Sequence, residues 1–436
     1  MTRSTDALAE AAAPSLGRRS AAVNMLAQGL ALLVVSVASL LVARGGGAAV
    51  LGEYTLLRVL PWLTAVIVSC GLPVASTYYL GAAQRADPQL RPTIAVLAAV
   101  GGLASAAVWL ALTPMLHHLL FGPMTRQLLS LMAITTVTQL WTALAKACCQ
   151  GDADMPGANL VIVIEELMFL PAYGLAVALG LHDIQAVAAG LIAGGICAAV
   201  IAVGRLVARG FFRDWGSPSR RLAWMLTAFG ARGQLGNLLW LVNLRLDFII
   251  LGVLAGPATL GIYAVASKFA ELMRLPATAV NYVLYPRFTR ATPSQAAAEA
   301  RRMLPRACVA TLAAAPVLAA SSVAVLPLLF GAAFRPAIAP ACILLIGLAV
   351  EGAAAVSGAY LWGAGRPGAF SLGMGVGVLV TVSLDVILIP RHGAIGAAVA
   401  SSIAYLAATG LLTHLASHGW RRFLTPSEPR PEGSNA

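Results

Sequence analysis

Long apolar runs alternate with short polar segments along almost the whole chain. A helix needs about 20 consecutive apolar residues to cross the hydrocarbon core of a bilayer, and twelve runs reach that length. The twelve runs are Ala22–Ala43, Leu56–Leu80, Thr93–Leu116, Leu128–Cys149, Ala158–Leu181, Ile184–Val207, Leu222–Leu254, Leu260–Tyr285, Ala307–Leu329, Ile338–Leu361, Phe370–Ile389 and Ala394–Leu415. The seventh is too long for one straight span, so Leu222–Phe229 is expected to lie along the cytoplasmic interface. The pattern predicts an all-α polytopic membrane protein with twelve transmembrane helices.

Basic residues assign the two sides of this predicted topology. Loops on the cytoplasmic side of a membrane are enriched in Lys and Arg. With the N-terminus inside, the cytoplasmic segments and adjoining helix ends carry 20 basic residues and the outer ones carry 5. Both termini are therefore expected in the cytoplasm, with residues 1–15 as a disordered tail and residues 418–436 as a second tail.

Three short motifs occur twice at nearly the same offset. Ala49-Val-Leu-Gly-Glu-Tyr54 recurs as Ala258-Thr-Leu-Gly-Ile-Tyr263, Pro156-Gly-Ala158 as Pro367-Gly-Ala369, and Ile184, Ala186 and Ala189 as Ile395, Ala397 and Ala400. A fixed offset indicates an internal repeat. We predict two six-helix lobes, residues 16–208 and 222–417, joined by a cytoplasmic linker of residues 209–221. An even number of spans per lobe gives both lobes the same orientation.

The composition supports a membrane protein and excludes other classes. Hydrophobic residues make up 59% of the chain and charged residues 11%, with a mean hydropathy of +0.83. The net charge of +12 does not indicate nucleic-acid binding, because the basic residues are scattered between apolar runs. The six cysteines have no metal-ligand spacing with histidines and are expected to be buried apolar residues. No nucleotide, zinc or nucleophile motif is present, so we predict transport without a catalytic residue, metal or cofactor.

Ten ionisable residues lie inside the predicted spans, where an unpaired charge is expensive. They are Glu165, Glu166, Arg232, Arg245, Asp247, Lys268, Glu271, Arg274, Glu351 and Asp385. Arg245 and Asp247 point about 200° apart around a helix and cannot pair with each other. Matching depths in the hairpin suggest that Asp247 pairs with Lys268, or Arg245 with Glu271. The seventh and eighth segments together carry two surplus positive charges, which suits an anionic ligand.

The other polar candidates are more ambiguous. Asn24 and Gln28 face the same side of the first helix and either line a cavity or bond a neighbouring helix. Glu351 is predicted in the middle of its span, as a proton or cation site or as the partner of an arginine such as Arg232. Glu165 and Glu166 are expected near the cytoplasmic interface, and Asp385 is interpreted as structural.

A longer stretch carries a family resemblance. Gly233-Gln-Leu-Gly-Asn-Leu-Leu-Trp-Leu-Val-Asn-Leu-Arg-Leu-Asp247 continues through Leu260-Gly-Ile-Tyr-Ala-Val-Ala266, Glu271, Pro276 and Tyr285-Pro-Arg287. This pattern resembles the bacterial polysaccharide-biosynthesis flippases of the multidrug/oligosaccharidyl-lipid/polysaccharide exporter superfamily. Twelve spans fit that branch, whereas the lipid II flippases carry fourteen.

The resemblance implies two six-helix lobes around a central cavity in the bacterial cytoplasmic (inner) membrane. The substrate would be an undecaprenyl-diphosphate-linked oligosaccharide for surface polysaccharide, with membrane lipid, a polymerase and glycosyltransferases as further partners and no nucleic acid. The candidate residues are Arg232, Arg245, Lys268 and Arg274 for phosphate, Asn24, Gln28 and Asn237 for sugar, and Asp247, Glu271 and Glu351 for coupling or structural charge. The alternatives are a drug/cation antiporter of the same fold and a non-transporting scaffold for glycan assembly.

Overall fold

The computed structural model describes most of the chain. It covers residues 3–81, 87–122, 124–213, 216–274, 277, 280, 284, 287–288 and 291–424. Side chains are described for these residues except 3–22, 232–237, 239–240, 243–244, 367 and 419–424. All regular secondary structure in this part of the chain is helical.

Thirteen α-helices are described. They are α1 (Arg3–Val68), α2 (Leu72–Gly81), α3 (Leu90–Leu119), α4 (Arg126–Leu131), α5 (Ala133–Gly151), α6 (Met155–Leu167), α7 (Phe169–Ala178), α8 (Asp183–Ala208), α9 (Arg220–Ala270), α10 (Pro293–Phe330), α11 (Ile338–Leu348), α12 (Glu351–Gly363) and α13 (Pro367–Leu424). Two 3₁₀ segments, Glu271–Met273 and Ala332–Ala337, follow α9 and α10.

The apolar helices account for the predicted spans in a different grouping. In the described part, eight helices are long and apolar enough to cross a membrane, and the bent pair of α11 and α12 makes a ninth. Among the long helices, α13 contains two predicted spans, and α1 and α9 each contain one predicted span and the first part of the next. Each also contains one glycine with positive φ between those spans, at Gly47, Gly256 and Gly393. The chain is therefore a multi-pass membrane protein.

The glycine turns follow from helix length and backbone sterics. A straight helix of 66 residues, the length of α1, would extend about 99 Å, roughly three times the hydrocarbon thickness. The chain turns at Gly47 (φ 74°, ψ −166°) and in α9 at Gly256 (φ 80°, ψ 172°). Residues with a Cβ essentially never adopt this conformation. Each of these glycines stands two residues before one copy of the Ala49/Ala258 repeat motif, so both copies begin after the same backbone turn.

The chain divides into two compact units, Met1–Gln234 and Leu235–Ala436, which we call the N-terminal and C-terminal units. The division lies within α9 and not at the predicted linker of residues 209–221. Leu222 and Leu226, near the start of α9, are buried in the core of the N-terminal unit with Ala202 and Leu206 of α8. The segment Leu222–Phe229 therefore packs against protein, in a helix continuous with the next span. Its expected place along the cytoplasmic interface stays a prediction.

The ends of the chain also differ from expectation. α1 begins at Arg3, so most of the tail predicted to be disordered is helical. This segment is helical because residues 7–13 are rich in Ala, Leu and Glu, which favour an α-helix. At the other end α13 continues to Leu424, beyond the predicted end of the last lobe at residue 417.

Small residues bring the helices of the N-terminal unit close together. Gly190 and Gly194 stand four residues apart on α8, and a methyl group on Gly194 would meet the Met168 backbone at 2.9 Å. Such spacing allows close backbone approach between helices in a membrane. Met168 also separates α6 from α7. The break between these two helices therefore lies against the glycines of α8.

Candidate functional site

One ion pair in the C-terminal unit joins the middle of α9 to the 3₁₀ segment that follows the helix. Arg245 Nη1 donates to Glu271 Oε1 at 3.1 Å, and each side chain is about one-quarter exposed. The Arg245 guanidinium also lies over the Phe248 ring at 5.3 Å. This confirms the predicted Arg245–Glu271 pair.

Asp247 is held by hydroxyl groups. Its Oδ2 accepts hydrogen bonds from Tyr263 Oη at 2.6 Å and Ser401 Oγ at 3.4 Å, and its Oδ1 accepts the Phe248 amide at 2.9 Å. The partners therefore differ from the predicted Lys268. The hairpin turns at Gly256, and Tyr263 lies closer to that turn than Lys268 does. Tyr263 consequently reaches the depth of Asp247, and Asp247 joins α9 to α13.

Arg274 carries a buried guanidinium nitrogen that forms no hydrogen bond with the described residues. Its Nε lies 4.0 Å from Glu351 Oε1 and, although buried, has no hydrogen-bond partner among the described residues. Its Cζ lies 5.3 Å from the centre of the Tyr405 ring. Glu351 is thus the partner of an arginine, as one of its predicted roles required, and that arginine is Arg274. The side chains of Arg232 and Asn237 lie outside the described residues.

The helix changes form where these charges stand. α9 ends at Ala270 and a 3₁₀ segment runs from Glu271 to Met273. In a 3₁₀ helix, residues three apart eclipse each other, which places Glu271 and Arg274 in line along the segment. The charged stripe predicted from Lys268, Glu271 and Arg274 therefore runs across the point where the α-helix changes to the tighter 3₁₀ form.

Asp385 is a candidate that the sequence reasoning underestimated. Its side chain on α13 is 0% exposed, and neither carboxylate oxygen has a hydrogen-bond partner among the described residues. It lies within electrostatic range of Asp247. A buried carboxyl without a hydrogen bond is costly unless it is protonated or neutralised by another ligand. The only sequence signal for it was the lone acidic residue in an otherwise apolar run.

The carboxylates of neighbouring helices remove the predicted charge surplus. Within the C-terminal unit, the cations Arg245, Lys268 and Arg274 are outnumbered by the carboxyls of Asp247, Glu271, Glu351 and Asp385. The surplus of two arose because only the seventh and eighth predicted spans were counted. An anion that binds here must therefore compete with carboxylates for the arginines.

A second, half-buried ion pair lies in the N-terminal unit. Arg58 Nη2 donates to both carboxylate oxygens of Glu166, and Arg58 Nη1 donates to Tyr54 Oη at 3.2 Å. Arg58 stands 58 − 47 = 11 residues after Gly47, and Glu166 stands 166 − 155 = 11 residues after the start of α6. Both lie about 16 Å along their helices from these points, roughly half the hydrocarbon thickness. Arg58 is one of the five basic residues counted on the outer side, and Glu166 was expected near the cytoplasmic interface. Both stand further into their helices than the apolar runs indicate, because the helices begin earlier.

Two further polar contacts lie on the same helices. Lys146 Nζ of α5 donates to Glu165 Oε2 at 3.3 Å, so consecutive glutamates of α6 contact cations on different helices. Asn24 Nδ2 donates to Asn159 Oδ1 at 2.7 Å, and Gln28 Nε2 donates to Asn24 Oδ1 at 2.7 Å. Asn24 and Gln28 thus form an amide chain with Asn159 of α6, and the exposed Gln28 is its free end.

A separate charged cluster caps the N-terminal unit beside the membrane-spanning helices. Asp154 caps α6 and accepts Arg205 Nε at 2.9 Å and Nη2 at 2.8 Å. These hydrogen bonds from Arg205 hold the pKa of the Asp154 carboxyl below its usual range. The cluster fixes the α5–α6 connection to the end of α8, and we assign it a structural role.

Comparisons with known proteins agree with this fold. The family model described as polysaccharide biosynthesis protein matches residues 18–292. No curated protein sequence matches the chain.

Three solved structures are similar over most of the chain. An inward-facing multidrug resistance MATE family transporter of the MOP superfamily has a TM-score of 0.73 at 15% identity, covering 93% of this chain and 96% of its own. The lipid II flippase MurJ, in an inward closed conformation, has a TM-score of 0.72 at 13% identity, covering 93% and 89%. A MOP superfamily transporter from Pyrococcus furiosus Vc1 (DSM3638) has a TM-score of 0.64 at 14% identity, covering 92% and 94%.

The likeness to these structures is one of fold, because the identities are low. The fold is that of the MOP superfamily of transporters, and the family model covers more than half of the chain. The three solved structures are those of two transporters and a flippase. The chain belongs to the polysaccharide biosynthesis protein family and is a multi-pass membrane protein.

Proposed function

We propose that this protein is a flippase that moves an undecaprenyl-diphosphate-linked oligosaccharide across the bacterial cytoplasmic membrane for surface polysaccharide synthesis. Family membership supports a role in polysaccharide biosynthesis. The observation that carries the substrate class is the state of Arg274, whose buried Nε has no hydrogen-bond partner among the described residues. Guanidinium groups bind phosphate through paired, charge-assisted hydrogen bonds.

The proposed architecture is two six-helix lobes, residues 16–208 and 222–417, around a central cavity that opens alternately to each side of the membrane. Gly47, Gly256 and Gly393 support twelve spans, because each divides a helix that is too long for one crossing. Residues 209–221 would be the cytoplasmic linker, and both termini would lie in the cytoplasm. Alternating access by rocking of two repeats is common among transporters with internal repeats.

The diphosphate would bind by replacing the carboxylates that contact the arginines. Arg245 contacts Glu271 and Arg274 contacts Glu351. A diphosphate offers more oxygen acceptors than one carboxylate and can displace it, most easily at the 4.0 Å contact of Arg274. Arg232 and Lys268 are the remaining phosphate candidates.

The other parts of the substrate need different surroundings. Amides donate and accept hydrogen bonds, so Asn24, Gln28 and Asn237 are proposed to bind sugar hydroxyls, while the polyprenyl tail stays in lipid. Glu351, Asp247 and Glu271 are proposed to couple the cycle to protons or to the membrane potential. Asp385 joins this set, because a buried carboxyl without a hydrogen-bond partner is suited to bind a proton or cation.

The second candidate function is a drug/cation antiporter of the same fold. It is favoured by the excess of carboxyls over cations inside the membrane in the C-terminal unit, four against three, and by the buried carboxyls Asp247 and Asp385. Against it, the carboxylates described on α9 and α12 already contact arginines or hydroxyls, which leaves Asp385 as the only open one among the described residues. The third possibility is a membrane scaffold for glycan assembly. A scaffold would not need the Arg274 Nε donor, which has no hydrogen-bond partner among the described residues.

The test uses a strain that lacks this gene and is complemented with variants. Arg274→Ala should abolish surface glycan and cause the lipid-linked oligosaccharide to accumulate, as should Arg232→Ala, while the protein is still recovered from the membrane. Arg335→Ala is the matched control, because Arg335 is exposed at a helix end. Wild-type glycan in the Arg274→Ala strain would contradict the proposed site. Loss of drug resistance with unchanged glycan on deletion of the gene would favour the antiporter.

A further inference from the structure

The helix α10 is longer than a membrane crossing requires. Its 38 residues extend about 57 Å, against a hydrocarbon thickness of about 30 Å. A capping box formed by Thr292 and Gln295 closes its first turn. The excess length therefore forms a regular helix outside the hydrocarbon, at the end that begins with Pro293.

The first turns of α10 have two distinct faces. Ala296, Ala297 and Ala300 are buried in the core of the C-terminal unit, together with Leu284 and Phe288. The opposite face exposes three arginines, which are Arg301, Arg302 and Arg306. No ion pair to these arginines is found among the described residues. The nearby Arg287 differs, because it contacts Glu299 at 3.3 Å.

The exposed face changes abruptly from arginine to aliphatic residues. Val309 is 65% exposed and Leu312 is 56% exposed. At 3.6 residues per turn, these two residues and the three arginines lie within an arc of about 140° around the helix. Val309 follows Arg306 by three residues, a rise of about 4.5 Å. The same face therefore points first to the headgroup region and then to lipid chains.

The distance to the other end of α10 supports this placement. Val309 and Phe330 are 330 − 309 = 21 residues apart, which corresponds to about 32 Å of helix. That length matches the hydrocarbon core of about 30 Å. The three arginines then lie at the level of the lipid phosphates, facing outward from the protein.

We infer that Arg301, Arg302 and Arg306 form a docking surface for the headgroup of an anionic phospholipid. Guanidinium groups bind phosphate in a bidentate manner, and basic clusters beside a membrane helix attract anionic lipids. The neighbouring Val309 and Leu312 would contact the acyl chains of the same lipid. This surface is separate from the buried ion pairs and does not depend on the proposed transport function.

The test compares lipid binding by the purified full chain and two triple variants. Native mass spectrometry would count phosphatidylglycerol and phosphatidylcholine molecules retained by the wild-type chain, by R301Q/R302Q/R306Q and by R126Q/R335Q/R391Q. The second variant removes the same charge from exposed arginines elsewhere. We expect the wild type to prefer phosphatidylglycerol, and the first variant alone to lose at least about fivefold of that preference.

Three results would overturn the inference. They are equal retention of both lipids by the wild type, undiminished preference in R301Q/R302Q/R306Q, and an equal loss in both variants. Equal retention of both lipids by the wild type would indicate that the three arginines bind an acidic protein and not a lipid. If R301Q/R302Q/R306Q fails to fold, the wild-type chain would instead be crosslinked with photoactivatable phosphatidylglycerol and the crosslinked residues identified. Crosslinks within residues 293–317 support the site, and crosslinks found only elsewhere refute it.

Discussion

The main partners of the charged residues inside the membrane are distant in sequence, not adjacent to them. Glu165 and Glu166 are consecutive, yet they contact Lys146 on α5 and Arg58 on α1. Arg245 and Asp247 likewise separate toward Glu271 and Tyr263. Side chains on a helix diverge by about 100° per residue, so a short run of charges connects several helices at one depth.

The Arg245–Glu271 pair should behave as a coupled unit. Arg245→Ala or Glu271→Ala leaves one intramembrane charge without its partner, which costs more than removing both. The double variant Arg245→Ala/Glu271→Ala should therefore be no less stable than the worse single variant. Thermal unfolding of the purified variants in detergent measures this, with an expected coupling of about 0.5–3 kcal/mol. Additive losses would show that the two residues act independently.

Sequence reasoning reached some of these residues and missed others for identifiable reasons. The Arg245–Glu271 pair follows from depth in a hairpin, because both partners belong to consecutive segments. The Asp247–Ser401 contact joins α9 to α13, and no local pattern specifies which distant helices become neighbours. Arg58 was misplaced because the apolar run begins later than the helix that carries it.

At the scale of helices, glycines with positive φ interrupt the three longest helices. The turns at Gly47 and Gly256 need a backbone conformation that is essentially restricted to glycine. The periodicity of apolar residues located both spans of each hairpin, whereas helical structure continues on both sides of the turn. The predicted loops between these spans were therefore too long.

Gly47→Ala and Gly256→Ala should each destabilise the protein by roughly 1–3 kcal/mol through backbone strain alone. Nothing lies within 4 Å of a Cβ at either position, so steric overlap is not the cause. Gly29→Ala is the matched control, since Gly29 has open space and an ordinary helical backbone in the same α1. Thermal unfolding midpoints measure all three. Equal effects at Gly29 and Gly47 would contradict the role of the turn.

At the scale of the whole molecule, the all-helical membrane fold is consistent with the family that the chain belongs to, and the substrate is a proposal. Hydropathy and repeats were sufficient to predict an all-helical, multi-pass chain, because lipid requires every backbone group to bond within its own helix. The division of the chain inside α9 was not predictable from loop composition. It depends on the packing of Leu222 and Leu226 against α8.

The central claim is tested most directly by measuring the movement of lipid-linked oligosaccharide in vesicles that contain the purified protein. The substrate would come from cells that lack the protein, and an added impermeant glycosidase would report how much of it reaches the outer leaflet. Wild-type protein and Arg335→Ala should make nearly all of the substrate accessible, whereas Arg274→Ala should leave the inner-leaflet share protected. Protection with the wild-type protein equal to that in protein-free vesicles would contradict the account.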